Sequence, residues 1–294
     1  MRFVTFSDRS GNRQPGIISG ETVEPLGPDA PTLDAFIALD GAARRTALDA
    51  RGPALARASV TLDAPLAPRK NIFCVGRNYF AHAQEGARAL GEADPTLPSV
   101  PTFFTKAPTA LAGPDATLGL SGAVSSQYDW EAELAVVIGT RCKDVSEAEA
   151  HATIFGYTCL NDVTARDLQR AHGQWFKGKS LDNTCPIGPW IVDAAELPDA
   201  QRLAIALRVN GRTMQQSRTD AMIFSIARII AELSKGMTLE PGDIIATGTP
   251  EGVGFAMTPP LFLKDGDVME VEIEGIGVLR NPVAIGAPVG AARL

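Results

Sequence analysis

One stretch limits what this chain can fold into: Asp129-Trp130-Glu131-Ala132-Glu133-Leu134-Ala135-Val136-Val137-Ile138-Gly139, a strand that begins with acids and is apolar on both faces thereafter. A strand with no polar face is sandwiched between two layers, so the sheet that contains it must be covered on both sides. Residues two apart on a strand share a face, which sets Glu131 and Glu133 side by side, about 6.6 Å apart along the backbone. Two carboxylates at the head of an apolar strand repel each other and lose hydration. A hard divalent cation between them is one remedy, and a solvated strand end is the other reading of the same spacing. Glu270, Glu272 and Glu274 repeat the spacing, but there apolar Val271 and Ile273 alternate with the acids, the pattern of a half-exposed strand with no site.

The rest of the composition narrows the chemistry. With 294 residues, 45% of them hydrophobic, the chain can bury a large core, and a net charge of -7 argues against a nucleic-acid partner. The N-terminal Met1-Arg2-Phe3-Val4-Thr5-Phe6-Ser7-Asp8 meets a charge before any signal-like apolar run, and no run reaches the length of a membrane span; a cytoplasmic protein with no membrane partner is expected. Cys74, Cys142, Cys159 and Cys185 form no C-x-x-C pair and read as reduced core thiols. Only His82, His151 and His172 are available as imidazoles. That scarcity disfavours a histidine-rich transition-metal centre and favours an all-oxygen site for Mg²⁺, with Mn²⁺ or Ca²⁺ as alternatives.

In chain order, residues 1–66 read as a small α+β unit, and the proline-bearing Asp63–Arg69 segment as a linker into the remaining 67–294. A strand at Asn71–Gly76 leads to Gly76-Arg77-Asn78-Tyr79, followed by His82 and Glu85 three residues apart, which share one face of a helical turn. An imidazole oriented by a carboxylate is a general-base arrangement, although an exposed helix turn has the same spacing. Gly86–Pro101 has the composition of a loop over a pocket or of a plain surface loop, and Thr102–Lys106 returns to strand character and ends on Lys106. His151, among acids and alanines, reads as a surface residue.

The apolar strand Ile154–Leu160 delivers Asn161-Asp162 at its end, and Asp162 is a candidate third carboxylate. Helical spacing then groups Asp162, Arg166 and Gln169, which would suit a keto or carboxylate ligand, or simply a solvated helix carrying salt bridges. Gly173–Ser180 formally matches G-x-x-x-x-G-K-[ST], but it follows a helical segment, holds Trp175 and Phe176 where phosphates would approach, and runs into Pro186; it is not a P-loop. Lys179 within it remains a fixed positive charge of interest. Asn210-Gly211 marks a hairpin, Ala221–Lys235 an amphipathic helix capped by Asp220, and Thr247–Gly254 a glycine-rich loop in which Thr249 could donate to a ligand.

Taken together in this order, Gly76-Arg77-Asn78-Tyr79 with His82 and Glu85, Asp129–Glu133, Asn161–Asp167, Gly178-Lys179-Ser180 and Thr247–Pro250 resemble the fumarylacetoacetate hydrolase family over about residues 70–284. The resemblance implies a β-rich mixed α/β fold: a β-roll catalytic domain with a small α+β N-terminal domain, assembling as a homodimer. It implies Glu131, Glu133 and Asp162 as ligands of Mg²⁺ or a similar ion. His82 and Glu85 would be the base on a lid, and Lys179, Arg166, Gln169 and Thr249 would meet the substrate. Arg77, Tyr79 and Lys106 join them as candidate contacts. Arg77 stands where many relatives carry an aliphatic residue and Trp130 where many carry tyrosine; the first suggests an additional anionic contact.

The activity so implied is metal-dependent hydrolysis of a carbon-carbon bond in a β-diketo acid such as an acylpyruvate. His82 would activate water, and the enolate that leaves would be stabilised by the metal and Lys179. Decarboxylation of a β-keto acid such as oxaloacetate, or keto–enol isomerisation of an unsaturated dicarboxylate, would use the same groups, and water access separates them. A non-catalytic, metal-stabilised binding protein is the rival of a different class.

Overall fold

The structure is a computed structural model that describes residues 1–92, 95 and 97–286. Its largest sheet has twelve strands, along which β1 (Arg2–Ser7), β2 (Ile72–Gly76), β3 (Thr102–Lys106), β4 (Ala132–Ile138), β5 (Ile154–Asn161), β6 (Cys185–Asp193) and β7 (Ile244–Ala246) run in the spatial order β1-β6-β5-β4-β7-β2-β3. Every residue of β4 is buried, as its unbroken apolar pattern requires. Leu134 and Val136 pack into one core with Leu207, Val271 and Ile273 of a second, five-stranded sheet. Ala135 and Val137 face the opposite way, into a core with Phe3, Phe36 and Ile37.

Residues 1–66 do not stand apart in this arrangement. β1 pairs with β6 through Arg2↔Val192 and Phe3↔Ile191, so the N-terminal strands extend the main sheet and share its second core. The Glu270–Glu274 strand behaves as its alternation requires: Val271 and Ile273 are buried, while Glu270 and Glu272 bond outward-facing Arg208. The amphipathic helix is shorter than its pattern suggests. It runs Ile226–Ser234 and is capped by the Ser225 hydroxyl on Arg228 N, whereas Asp220 lies in a separate turn. Phe224 explains the difference: its backbone N–H is held by Asn78 Oδ1 at 2.7 Å, which keeps that segment extended.

The head of β4 is where the fold makes the site. Tyr128–Asp129 pairs with Thr164–Ala165 in a separate ladder, and the backbone between the two pairings is satisfied by side chains: Glu131 N donates to Asn161 Oδ1 and Ala132 N to Gln215 Oε1, both at 2.9 Å. From Ala132 onward β4 joins β5 antiparallel, with Ala132 opposite Asn161, and Asp162 N donates to Glu131 O at 2.9 Å. The pairing brings the end of β5 beside the start of β4, which is how an acid 31 positions down the chain from Glu131 reaches it.

Candidate active site

Glu131, Glu133 and Asp162 are all buried, and each offers a carboxylate oxygen within 4.8 Å of the others. Lys179 reaches them from a short helix, Phe176–Lys179; its Nζ donates to Glu131 Oε2 and Asp162 Oδ2, both at 2.7 Å. Burial opposes ionisation of Glu131, but the charges of Lys179 and Arg166 outweigh it and bring its carboxyl down to about 2. Glu133 has the reverse balance. Burial and then the charges of Asp162 and Glu131 push it well above the usual carboxylate range, and its carboxylate accepts a hydrogen bond from Gly248 N at 2.7 Å. Gly248 has φ +102, and a Cβ there would lie 2.7 Å from that of Asn78, so glycine is required for this approach.

The donor set fits a hard divalent cation. It is all oxygen, enclosed, and negative: among Asp129, Glu131, Glu133 and Asp162 against Lys106, Arg166 and Lys179, all buried, one negative charge is left over. Glu131 and Glu133 line a cavity of about 430 Å³, and Asp162 lies behind Lys179.

Most of the other expected residues share that cavity. His82, Arg77, Arg166, Gln169, Lys179 and Thr249 all line it. His82 and Glu85 sit on helix α1 (Phe80–Ala89), with His82 Nδ1 2.9 Å from Glu85 Oε1. An ionised carboxylate can only accept, so Nδ1 carries the proton and Nε2 is the free base. Glu85 also accepts from Gly252 N at 2.9 Å and Val253 N at 3.4 Å, which seats α1 on the glycine-rich loop. Of the segment expected to cover the pocket, Leu90, Glu92 and Pro95 line the cavity, and residues 93, 94 and 96 lie outside those described. Arg166, at the start of the helix Arg166–Ala171, donates to Glu131 Oε1 at 2.7 Å and Gln169 Oε1 at 3.1 Å, while its buried Nη2 has no partner among the described residues.

Two expected substrate contacts are placed otherwise. Lys106 is fully buried at the end of β3 and donates to Asp162 Oδ1 at 2.7 Å and Val163 O at 3.1 Å; it supports a carboxylate from behind and does not line the cavity. Tyr79 is 1% exposed and also off the cavity wall, because the β-bridge Tyr79↔Met222 turns it into the core. Asn78 between these motifs is structural: it bonds Thr247 O and Phe224 O and so ties the glycine-rich loop to the segment before the Ile226 helix.

Sequence reasoning missed Asp129. Its carboxylate, fully buried, accepts from Arg166 Nε at 2.8 Å, Gly254 N at 2.7 Å and Phe255 N at 3.1 Å. An acid before a tryptophan signals nothing about a partner 37 residues on. Phe255, which lies under the Arg166 guanidinium at 4.4 Å, and the lining residue Arg170 carried no signal either.

The family model for the fumarylacetoacetate (FAA) hydrolase C-terminal region matches residues 71–284. The chain belongs to the fumarylacetoacetate hydrolase family. It is 49% identical over 225 residues, 76% of this chain and 73% of the relative, to the oxaloacetate tautomerase YisK of Bacillus subtilis. It is 40% identical over 241 residues, 81% and 73% of the two chains, to the mitochondrial oxaloacetate tautomerase fahd2 of Xenopus laevis. Among solved structures, a fumarylacetoacetate hydrolase from Exiguobacterium antarcticum superposes with TM-score 0.83 at 38% identity, covering 97% of this chain and 100% of that one. A 2-hydroxyhepta-2,4-diene-1,7-dioate isomerase from Mycobacterium marinum does so with TM-score 0.78 at 36% identity, covering 98% and 99%. The β-rich α/β fold expected of the family is the one observed. Among the described residues, no helix is long and apolar enough to cross a membrane.

Glu133→Gln should abolish tight Mg²⁺ binding in a calorimetric titration. In the parent protein the affinity should rise with pH, because the raised carboxyl of Glu133 holds a proton that the cation must displace; wild-type affinity in the variant, or affinity independent of pH, would contradict the assignment. Asp129→Ala, which strips Arg166 of its fully buried partner, should lower the unfolding free energy by about 3 kcal/mol in denaturant titrations. A loss below about 1 kcal/mol, the level of an exposed pair, would show that the carboxylate does not hold the arginine.

Proposed function

We propose that the protein is a divalent-metal-dependent keto–enol tautomerase of a short β-keto acid of the oxaloacetate type. The observation that carries this reading is the placement of a His82–Glu85 base and of Glu131 and Glu133 on one cavity, the base carried by a helix that Glu85 latches to the loop opposite. The similarity to two oxaloacetate tautomerases supports it.

The chemistry needed is small: a proton leaves one carbon, and the negative charge moves to the neighbouring carbonyl oxygen. A divalent cation held by Glu131, Glu133 and Asp162 supplies Lewis-acid polarisation of the substrate's carbonyl. The chain's own groups do the rest. Arg166 presents a buried, unpaired Nη2 to the substrate's carboxylate, worth more as a charge-assisted bond than a neutral donor would be. Gln169 and Thr249 flank it on the wall; Thr249 Oγ1 accepts from Gln215 Nε2 at 2.8 Å, which directs the hydroxyl proton elsewhere, toward the ligand.

His82 Nε2 takes the C3 proton in the keto-to-enol direction and returns it in the other. Glu85, on Nδ1–H, steadies the imidazolium formed in between. The electron pair released from C3 moves onto the C2 oxygen, near the ammonium of Lys179, so charge develops where a cation is already fixed. The His82 imidazolium then gives up that proton to the oxygen, which completes the enol and restores the free base. No water is consumed, in keeping with a helix seated over the pocket.

A second reading, hydrolysis of an acylpyruvate, is favoured by the size of the cavity. About 430 Å³ falls within the range of pockets that enclose drug-sized ligands and exceeds what a four-carbon acid fills. Incubation of the Mg²⁺-loaded protein with enol-oxaloacetate and with acetylpyruvate separates the two. The tautomerase reading expects accelerated loss of enol absorbance, no pyruvate from either compound, and a loss of about a hundredfold or more in His82→Ala. Pyruvate released from acetylpyruvate, with no effect on the enol, would replace it by the hydrolase.

A further inference from the structure

The cavity wall carries a row of four side chains, of which the proposed chemistry accounts for the first alone. Starting inside, Lys179 Nζ lies 5.1 Å from the centre of the Phe104 ring; Phe104 meets Trp175 edge-on at 5.2 Å; and the Arg77 guanidinium lies 5.9 Å over Trp175. All four line the cavity. The row is an aromatic shelf with a buried cation at its inner end and an exposed one, Arg77, at its mouth.

The shelf is fixed in place. A Cβ on Gly76 would fall 2.2 Å from Trp175 Cζ3, so the indole packs directly against the backbone that carries Arg77. Arg77 itself has φ +56, a conformation that a residue with a side chain rarely adopts. No carboxylate lies within salt-bridge distance of Arg77 among the described residues, whereas Arg166 and Lys179 are both bound to acids. Glu92 also lines the cavity, and no ion pair joins it to Arg77. An arginine stacked on a ring loses little conformational freedom on gripping a ligand, and its planar fork suits a carboxylate.

We propose that Arg77, held on Trp175, is the specificity-determining residue for a second carboxylate at the far end of the substrate. The inference rests on the keto-acid reading of the site and deepens it: the preferred ligand is a keto diacid, its keto-acid end against the acidic cluster and its other carboxylate at the mouth. Arg77 makes no contact with the reacting atoms; it sets which acid is held.

The test is direct binding to the Mg²⁺-loaded protein by calorimetry, which needs no turnover. The probes are 2-ketoglutarate and 2-ketovalerate, which share a keto-acid head and chain length and differ in the terminal carboxylate. The wild type should bind the diacid about tenfold or more tightly than the monoacid, the advantage of a charge-assisted bond. Arg77→Gln should erase that preference and leave the affinity for 2-ketovalerate unchanged, while Arg77→Lys should keep part of it. Circular dichroism of the variants should match the parent. Equal weakening of both ligands in Arg77→Gln, or no preference in the wild type, would overturn the assignment of Arg77. Binding of neither acid would refute the keto-acid reading itself, and this inference with it.

Discussion

The structure depends on an electrostatic imbalance placed where water cannot relieve it. Two adjacent strands deliver Glu131, Glu133 and Asp162 into a region with almost no solvent exposure. Charges buried in this way cost several kcal/mol each unless they are paired and hydrogen-bonded. Lys106, Lys179 and Arg166 answer part of that requirement, and the remainder is the reason a cation fits. The protonated tendency of Glu133 and the depressed carboxyl of Glu131 are two sides of this division: the lysine and arginine have chosen Glu131 and Asp162 and left Glu133 without a charged partner.

The glycine-rich loop links this cluster to the base. Four successive backbone N–H groups, Gly252 to Phe255, are shared between two carboxylates: the first two donate to Glu85 on α1, the last two to Asp129 in the core. Asp129 in turn holds Arg166, and Phe255 stacks beneath it. The seating of the helix that carries His82 and the orientation of the arginine that faces the ligand are thus read by one short loop. Glu85 has two tasks as a consequence, since the oxygen that orients His82 belongs to the carboxylate that latches the helix.

Much of this was legible in the residues. The apolar run after Glu133 announced a strand covered on both sides; the three acids, His82 with Glu85, and Arg166 each had a plain structural reading beside the chemical one, and it was their order along the chain, together with Lys179, that grouped them by resemblance to the family. What the sequence hid was depth. Lys106 at a strand end looks the same whether its ammonium meets a ligand or the rear of Asp162, because the strand's register against its neighbours decides that, and register is a tertiary property. Tyr79 carries the same ambiguity and is in the core. Asp129 was invisible because its partners are Arg166, 37 residues on, and backbone N–H groups of a loop more than a hundred residues away, which leave no mark on composition or spacing. The reach of the N-terminal strands was hidden likewise: nothing in residues 1–66 shows that β1 continues the main sheet through β6.

The central claim is that the three carboxylates exist to hold a cation, with Lys179 as a neighbour and not its replacement. A crystal soaked in Mn²⁺ and measured at the manganese absorption edge tests this most directly. The account predicts one strong anomalous peak bridging Glu131, Glu133 and Asp162. A map with no peak there, and with Lys179 still bonded to both Glu131 and Asp162, would mean that the lysine is the permanent counter-ion and that the proposed chemistry has lost its Lewis acid.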